Sequence, residues 1–282
     1  FIEQYCKLFG LRWLLQRLDI YPNTYYNYQK HRKANYYAHK AEVHALIKEI
    51  YHSHNGVDGY RNMKVYLERK GYRYSRTTIH KYMNKELKLR SIVRPKKPKY
   101  EQGKPHKVFG NKLSQNFTAE AVNQKWCTDF TYLYLADHEV RYNCTIIDLY
   151  DRSVIASITD RHITSDLAIR TLQKALSTQP QIEGKLILHS DQGSQFTSKA
   201  FVDFCESVEV TQSMSRAGYP YDNAPMERYF NTLKNECTNL CDFKTEQSLY
   251  QAVEEFAYVE YNYVRPHSYN NYATPHEART AV

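Results

Sequence analysis

Lys185-Leu186-Ile187-Leu188-His189-Ser190-Asp191-Gln192-Gly193 decides the fold of the larger part of this 282-residue chain. Its apolar run is too short for a helix and has no polar face, so it predicts a buried strand that ends at Asp191. A lone buried carboxylate is costly and ordinarily keeps a partner or an ion, and Gln192-Gly193 lets backbone come close to a ligand there. Downstream, 35 residues separate Asp191 from Glu227, which lies in Tyr221-Asp222-Asn223-Ala224-Pro225-Met226-Glu227-Arg228. Upstream, Asp129 lies in Trp126-Cys127-Thr128-Asp129-Phe130-Thr131, near the start of an apolar, strand-like run. Three such carboxylates suffice to hold two divalent ions around a phosphodiester.

The residues between these acids read as mixed α/β. Strand patterns fall at 126–135, 139–148 and 152–159, with turn signals at Asp137-His138 and Asp151-Arg152. A helix is expected over 164–177, capped by Thr164 or Ser165, with Leu167, Ala168, Leu172 and Ala175 inward. Phe201, Phe204, Cys205 and Val208 mark another helix. Three antiparallel-type strands followed by alternating helices and strands is the order of a ribonuclease-H-like fold. In the helix that opens near Asp222, Met226, Tyr229, Phe230 and Leu233 form one stripe. Glu227, Asn231 and Lys234 form another, which aligns a carboxylate, an amide and an ammonium. Taken alone, that second stripe is equally a solvated helix face.

The front of the chain differs in charge and in period. Residues 1–112 hold 25 Lys/Arg against 8 Asp/Glu, whereas residues 113–282 hold 14 against 22. A basic front and an acidic back suggest a part that grips nucleic acid joined to a part that collects cations. Leu11, Leu14, Leu15 and Leu18 predict a short helix before Pro22, with Asn23 or Thr24 capping a second through Lys30. Val43, Leu46, Ile47 and Ile50 predict a helix over 41–54, broken by Asn55-Gly56. A helix at about 60–70, Gly71, and a third helix capped by Ser75 complete the pattern. Ile79, Tyr82 and Met83 point inward and Arg76, Thr77, His80, Lys81 and Asn84 outward. This is the layout of a helix-turn-helix whose last helix enters the major groove. A purely structural three-helix bundle has the same pattern, and the basic surplus favours DNA. Residues 93–120, with Arg94, Lys96, Lys97, Lys99, Lys104, Lys107 and Lys112 among prolines, read as an extended basic linker able to track a phosphate backbone.

The expected domains are a short helical DNA-binding segment at 1–38, a helix-turn-helix at 41–92, the linker at 93–120 and the catalytic α/β domain at 121–282. No apolar stretch reaches the roughly 20 residues that cross a bilayer. Cysteines at 6, 127, 144, 205, 237 and 241 lack Cys-x-x-Cys spacing, and a reducing cytoplasm fits them best. The absence of an initiator Met and of a signal pattern fits an upstream segment, and a truncated chain equally.

The segments Trp126–Thr131, His189–Phe196 and Arg216–Ala224, extended by Glu227 and Lys234, resemble the core of insertion-sequence transposases of the insertion-sequence-three family, relatives of retroviral integrases. The tail Tyr261-Asn262-Tyr263-Val264-Arg265-Pro266-His267 with Thr274-Pro275 adds to the match. Arg228 stands where many relatives have Ser, Phe196 replaces a frequent Tyr, and the Cys pair of the integrases' zinc module is missing. The resemblance implies a ribonuclease-H-like DDE core behind an all-α helix-turn-helix region, in a second-frame product fused to an upstream segment. It implies that Asp129, Asp191 and Glu227 are catalytic and hold two Mg²⁺ ions, with Mn²⁺ able to substitute. DNA contacts are expected at Arg76, Thr77, His80, Lys81, Lys96, Lys97, Asn231 and Lys234. The partners implied are double-stranded DNA, as terminal inverted repeats and target, and further copies of the chain in a synaptic dimer or larger complex. No membrane is involved, and the location implied is the bacterial cytoplasm at the nucleoid.

Lesser candidates are Asp148 as an extra ligand, His189 as a ligand orienter or packing group, and Arg265 and His267 as caps of the last helix before Pro266. His276-Glu277-Ala278-Arg279 supplies the His-x-x-Arg of a tyrosine recombinase, but no Tyr follows it before Val282. A genuine ribonuclease H has no need of the basic front. The non-enzymatic alternative is a catalytically silent DNA-binding repressor of transposition.

Overall fold

The computed structural model describes residues 1–92, 107–179, 182, 184–216 and 218–281. The chain divides into two compact units, Phe1–Ser91 and Ile92–Val282.

The first unit is helical: α1 Ile2–Phe9, α2 Leu11–Arg17, α3 Pro22–Gln29, α4 Arg32–Ser53, α5 Tyr60–Arg69 and α6 Arg76–His80, which continues as a π-helical stretch Lys81–Glu86. Its core joins Val43, Ile47 and Ile50 of α4 to Met63 and Leu67 of α5 and to Ile79, Tyr82 and Met83 of the last helix. The expected inward residues are therefore the buried ones. Helix α4 begins at Arg32, well before the expected 41, because its first two turns bury nothing and leave no apolar stripe to read. Pro22 opens α3 at its first position, where its fixed φ and missing N–H do no harm, so Tyr21 is the N-cap and the expected caps Asn23 and Thr24 lie inside the helix. Asn55 and Gly56 take positive φ, as the break after α4 requires. Ser75 caps α6 by accepting the Thr78 N–H at 3.1 Å.

The second unit is built on a five-stranded sheet: β1 Lys125–Tyr134, β2 Val140–Asp148, β3 Val154–Asp160, β4 Ile187–Ser190 and β5 Thr211–Met214. The order is β3-β2-β1-β4-β5. Strands β1, β2 and β3 pair antiparallel, and β4 and β5 add in parallel beside β1. The helices are α7 Ser165–Thr178, α8 Lys199–Ser207, α9 Ala224–Leu233 (continuing π-helically over Lys234–Thr238), α10 Glu246–Glu255 (continuing over Phe256–Val264) and α11 Pro275–Thr280. This mixed sheet with helices on both faces is the ribonuclease-H-like arrangement expected.

Strand alternation divides the core. Trp126 and Ile146 face α7 and α8, in a cluster with Leu172, Phe201 and Cys205. Cys127, Leu133 and Ile147 face α9 and α10, in a second cluster with Met226, Tyr229 and Val253. Asp129 follows the register of Cys127 and therefore belongs to the α9 face.

Of the stretch expected as a linker, residues 93–106 lie outside the described residues, and with them Lys96 and Lys97. Residues 107–120 are packed on the second unit. Leu113 is buried, and the Phe109 and Lys112 N–H groups donate to Met214 Sδ and Ser213 Oγ. All six cysteines are free. No described helix is long and apolar enough to cross a membrane.

Candidate active site

Strand register brings the first two acids together. The β1–β4 ladder ends at the pair Cys127 and His189, and two residues further along each strand stand Asp129 and Asp191. Adjacent strands run about 4.8 Å apart, so Asp129, in the middle of β1, and Asp191, immediately after β4, come close to each other, both half-buried. Burial and the neighbouring Asp191 carboxylate push the Asp129 pKa well above the usual range, and Glu227 pushes the same way. The Phe130 N–H, 2.7 Å from Asp129 Oδ1, and the Lys234 ammonium pull against that shift. Burial likewise raises Asp191, opposed by the Gly193 N–H at 2.8 Å. Two neighbouring buried acids with raised pKa values, one of them raised further by the other's charge, are short of positive charge.

Gly193 is needed where it stands: a Cβ there would lie 2.8 Å from Asp191 Oδ1 and 3.2 Å from Gln195 Oε1. The absence of a side chain lets the backbone N–H hold the carboxylate.

Glu227 is exposed in the first turn of α9, whose opposite stripe of Met226, Tyr229, Phe230 and Leu233 is buried. Asn231 is exposed and Lys234 half-buried on the Glu227 side. Among the described residues, no three His, Cys, Asp or Glu side chains are gathered closely enough to hold a metal ion. Glu227 is near enough to Asp129 for its charge to raise the Asp129 pKa.

His189 and Asp222 tie this site together. His189 is buried and burial lowers its pKa, so it is neutral. Its Nε2 donates to the Asp222 carbonyl at 2.9 Å, which leaves Nδ1 to accept from Ser213 Oγ at 2.9 Å. Of the two roles open to it, it packs as a strut between β4, β5 and the turn before α9. The Asp222 carboxylate is buried and held far below the ordinary range by Arg216, which meets it through its guanidinium and backbone N–H. Asn111 at 2.9 Å and Gln115 at 2.8 Å also donate to it. Asp222 thus anchors the 107–120 segment and the Arg216 loop to the start of α9. Its place at a helix opening is legible in the sequence, but this anchoring role is not.

Asp148 is not an extra ligand. It is buried at the far end of β2, where it accepts the Asn123 N–H at 2.7 Å and lies 3.3 Å from Arg279 Nη1. Arg279 also reaches Asp151 at 2.7 Å, so the His-x-x-Arg arginine is a structural clamp. Arg265 is the C-cap of the helix Phe256–Val264, its N–H donating to the Glu260 carbonyl at 2.8 Å, and its side chain grips Glu236 through two hydrogen bonds of 2.6 and 2.7 Å. His267 caps the short turn Ser268–Asn270 that follows it.

In the first unit, Arg76, Thr77 and Lys81 are exposed on the last helix, with Lys81 3.7 Å from Glu86. His80 is half-buried against the Tyr60 ring, with centroids 5.1 Å apart.

The sequence matches the integrase core domain family over residues 119–220 and again over 208–275, and the HTH-like domain family over 38–97. It is 31% identical over 256 residues to the transposase InsK of insertion sequence element IS150 from Escherichia coli K12, covering 90% of this chain and 88% of that one. It is 30% identical to the transposase of insertion sequence element IS904 from Lactococcus lactis, covering 81% of this chain and 90% of that one. Among solved structures it is similar to the HTLV-2 integrase catalytic core domain in complex with magnesium, at 20% identity and a TM-score of 0.44, covering 57% of this chain and 98% of that one. With relatives of this identity along almost its whole length, and an integrase core behind an HTH-like region, the chain belongs to the insertion-sequence-three family of DNA transposases, DDE-type polynucleotidyl transferases.

Proposed function

We propose that Asp129, Asp191 and Glu227 are the catalytic carboxylates of this transposase and that they hold divalent metal ions, two Mg²⁺ or in their place Mn²⁺. The observation that carries this reading is the pair Asp129, within β1, and Asp191, just after the neighbouring β4, both raised in pKa by burial and Asp129 also by the charges of Asp191 and of Glu227 on α9. The donor set is all hard oxygen, which suits Mg²⁺, an ion that keeps water and phosphate oxygens in its shell and needs no all-protein cage. When bound, such ions sharpen the attacking oxygen and stabilise the leaving oxygen of an in-line displacement.

The chain's own groups bind and orient the DNA. Lys234 and Asn231, on the Glu227 side of α9, meet a phosphate beside the reacting bond, and Gly193 keeps the Asp191 carboxylate aimed. Hydrolysis at the transposon end breaks one phosphodiester and leaves a 3′-OH. That hydroxyl then attacks a phosphodiester of the target, which exchanges one P–O bond for another without a protein-linked intermediate. Arg76, Thr77, His80 and Lys81 on the last helix of the front unit, with Lys96 and Lys97 beyond it, contact double-stranded DNA at the inverted repeats. Joining two ends calls for at least two copies of the chain. The regions doing this work are a short helical segment at 1–38, the helix-turn-helix at 41–92 and the catalytic domain at 121–282, joined by the basic stretch 93–120. The protein works on bacterial DNA at the nucleoid.

The test is strand transfer with transposon-end DNA and Mg²⁺, comparing wild type with Asp191→Asn and Glu227→Gln. Loss of at least about 10³-fold in both variants is expected, the scale of removing a group that stabilises transition-state charge. Equal activity in all three sinks the assignment, and an inactive wild type that still binds the ends makes the chain a repressor.

A further inference from the structure

Asn223 stands at the N-cap of α9, yet its side chain makes no capping hydrogen bond. Asn at this position ordinarily stabilises a helix by accepting a backbone N–H from the first turn. Here the amide turns away, and Nδ2 donates to the backbone carbonyl of Thr128 at 3.3 Å. The residue is only 5% exposed, and its Oδ1 is buried with no hydrogen-bond partner among the described residues. A buried acceptor left unpaired is unfavourable, and so is a forgone cap. Departures from local preference of this kind concentrate where function holds them in place.

The position of the bond says what that function is. Thr128 immediately precedes Asp129, and the β1–β4 ladder stops one residue earlier, at Cys127 and His189. The Asn223 amide therefore meets β1 just beyond the end of its pairing with β4. The residue before it, Asp222, presents its carbonyl to His189, two residues before Asp191 on β4. The dipeptide Asp222-Asn223 is thus tied to both strands that carry the paired acids. Glu227 lies four residues on, about one helical turn into α9.

We propose that Asn223 is a positioning residue for strand transfer: its bond to the Thr128 carbonyl sets where Glu227 stands relative to Asp129. The inference rests on Glu227 being a catalytic carboxylate. It explains why an amide is used where Ser, Thr or Asp would cap equally well: a carboxylate cannot donate to the Thr128 carbonyl, and a Ser or Thr hydroxyl, one bond shorter, falls short of where the amide nitrogen stands.

The test uses the full chain with Asn223→Ala and Asn223→Ser. Three quantities are measured: the thermal midpoint without metal, the rise of that midpoint as Mn²⁺ is added without DNA, and strand-transfer kinetics on transposon-end DNA. The expected result is an unchanged midpoint and a Mn²⁺ requirement for half the rise about 10-fold higher. The kcat should fall about 10- to 100-fold, the range in which groups behind a metal ligand act, with KM for DNA unchanged. If Asn223→Ala does not fold, Asn223→Ser decides by the same criteria. Wild-type kcat and Mn²⁺ response in a folded variant overturn the inference. So does a loss of activity that merely follows a lower midpoint while the Mn²⁺ response stays as in wild type. Glu227→Gln, run alongside, separates the two readings. If it is inactive and the Asn223 variants are fully active, the positioning role alone falls; if it is fully active, the assignment of Glu227 falls and the inference with it.

Discussion

The two units of this transposase keep their polar groups in opposite ways. In Phe1–Ser91 the groups proposed to meet DNA, Arg76, Thr77 and Lys81, are exposed on a short helix whose other side is buried as Ile79, Tyr82 and Met83. All three are exposed, and two of them carry a full charge, so each is replaceable at small cost to the fold. In Ile92–Val282 many polar groups are half or fully buried and held by named partners, Glu227 and Asn231 on α9 being exposed exceptions. Burial and the Asp191 charge raise the Asp129 pKa, Asp222 is gripped by Arg216, and Asp148 and Asp151 share Arg279. Recognition can be carried on a surface, whereas phosphoryl chemistry needs charges whose positions are fixed, and burial helps to fix Asp129 and Asp191.

If that contrast is right, the largest effect of a single change should come from the buried clamp. Arg279→Met leaves the fully buried Asp148 and Asp151 without their guanidinium, and a loss of about 3–5 kcal/mol in unfolding free energy is expected. The deficit has a definite pH dependence. Burial and Asp151 push the Asp148 pKa up to about 6, so the folded protein binds this proton more tightly than the unfolded chain. Its contribution is most favourable below the ordinary carboxylate range and is lost as pH rises through about 6. Urea unfolding of Arg279→Met should therefore show a smaller deficit at pH 5 than at pH 7. An equal deficit at both would remove Asp148 from the clamp.

Gly193→Ala probes precision without touching a charge. The new Cβ contacts the Asp191 carboxylate at 2.8 Å and forces it aside. Strand transfer should fall by about 10²-fold, the cost of misplacing a reacting group by an ångström or less, with little change in thermal midpoint. Unaltered kinetics would mean that Asp191 need not be held by the Gly193 N–H.

A smaller effect with the opposite sign is expected at Asp129. Its raised pKa means that the folded state disfavours the ionised form, a penalty that grows as pH rises past the ordinary carboxylate range. Asp129→Asn should therefore raise the thermal midpoint at neutral pH without divalent ions while abolishing strand transfer, the trade-off of a site built for function. A lower midpoint would make Asp129 a structural residue.

The mildest change belongs to the front unit. Replacing Arg76 and Lys81 with Gln should leave the midpoint in place and flatten the salt dependence of DNA binding by about one unit of slope per lost phosphate contact. An unchanged slope would take the last helix off the DNA.

Much of this was legible in the sequence, for identifiable reasons. Strands β1 to β3 alternate in hydrophobicity and are separated by turns at His138 and Arg152, both of which take positive φ. The two stripes of α9 declare which side is buried. Strand β5 was not legible, because Thr211-Gln212-Ser213-Met214 has no apolar run. It is held by polar bonds that only the fold creates, Ser213 to His189 and Gln212 to the Phe196 carbonyl. The roles of Asp148 and Arg279 were hidden for a similar reason: they are 131 residues apart and meet only because α11 returns to the end of β2. Local pattern reveals elements and single acids, whereas pairings across the chain decide which acids are structural and which are left for chemistry.

The central claim is that Asp129 and Asp191 form a pair that seeks a cation. It is tested most directly by calorimetric titration of Mn²⁺ into wild type and Asp129→Asn at pH 7 and pH 5.5. Wild type should bind less tightly at pH 5.5, with more protons released per ion, because the ion must displace protons from carboxylates of raised pKa. Asp129→Asn should bind at least about 10-fold more weakly and lose most of that proton release. Identical affinity and proton release in the two proteins would contradict the account.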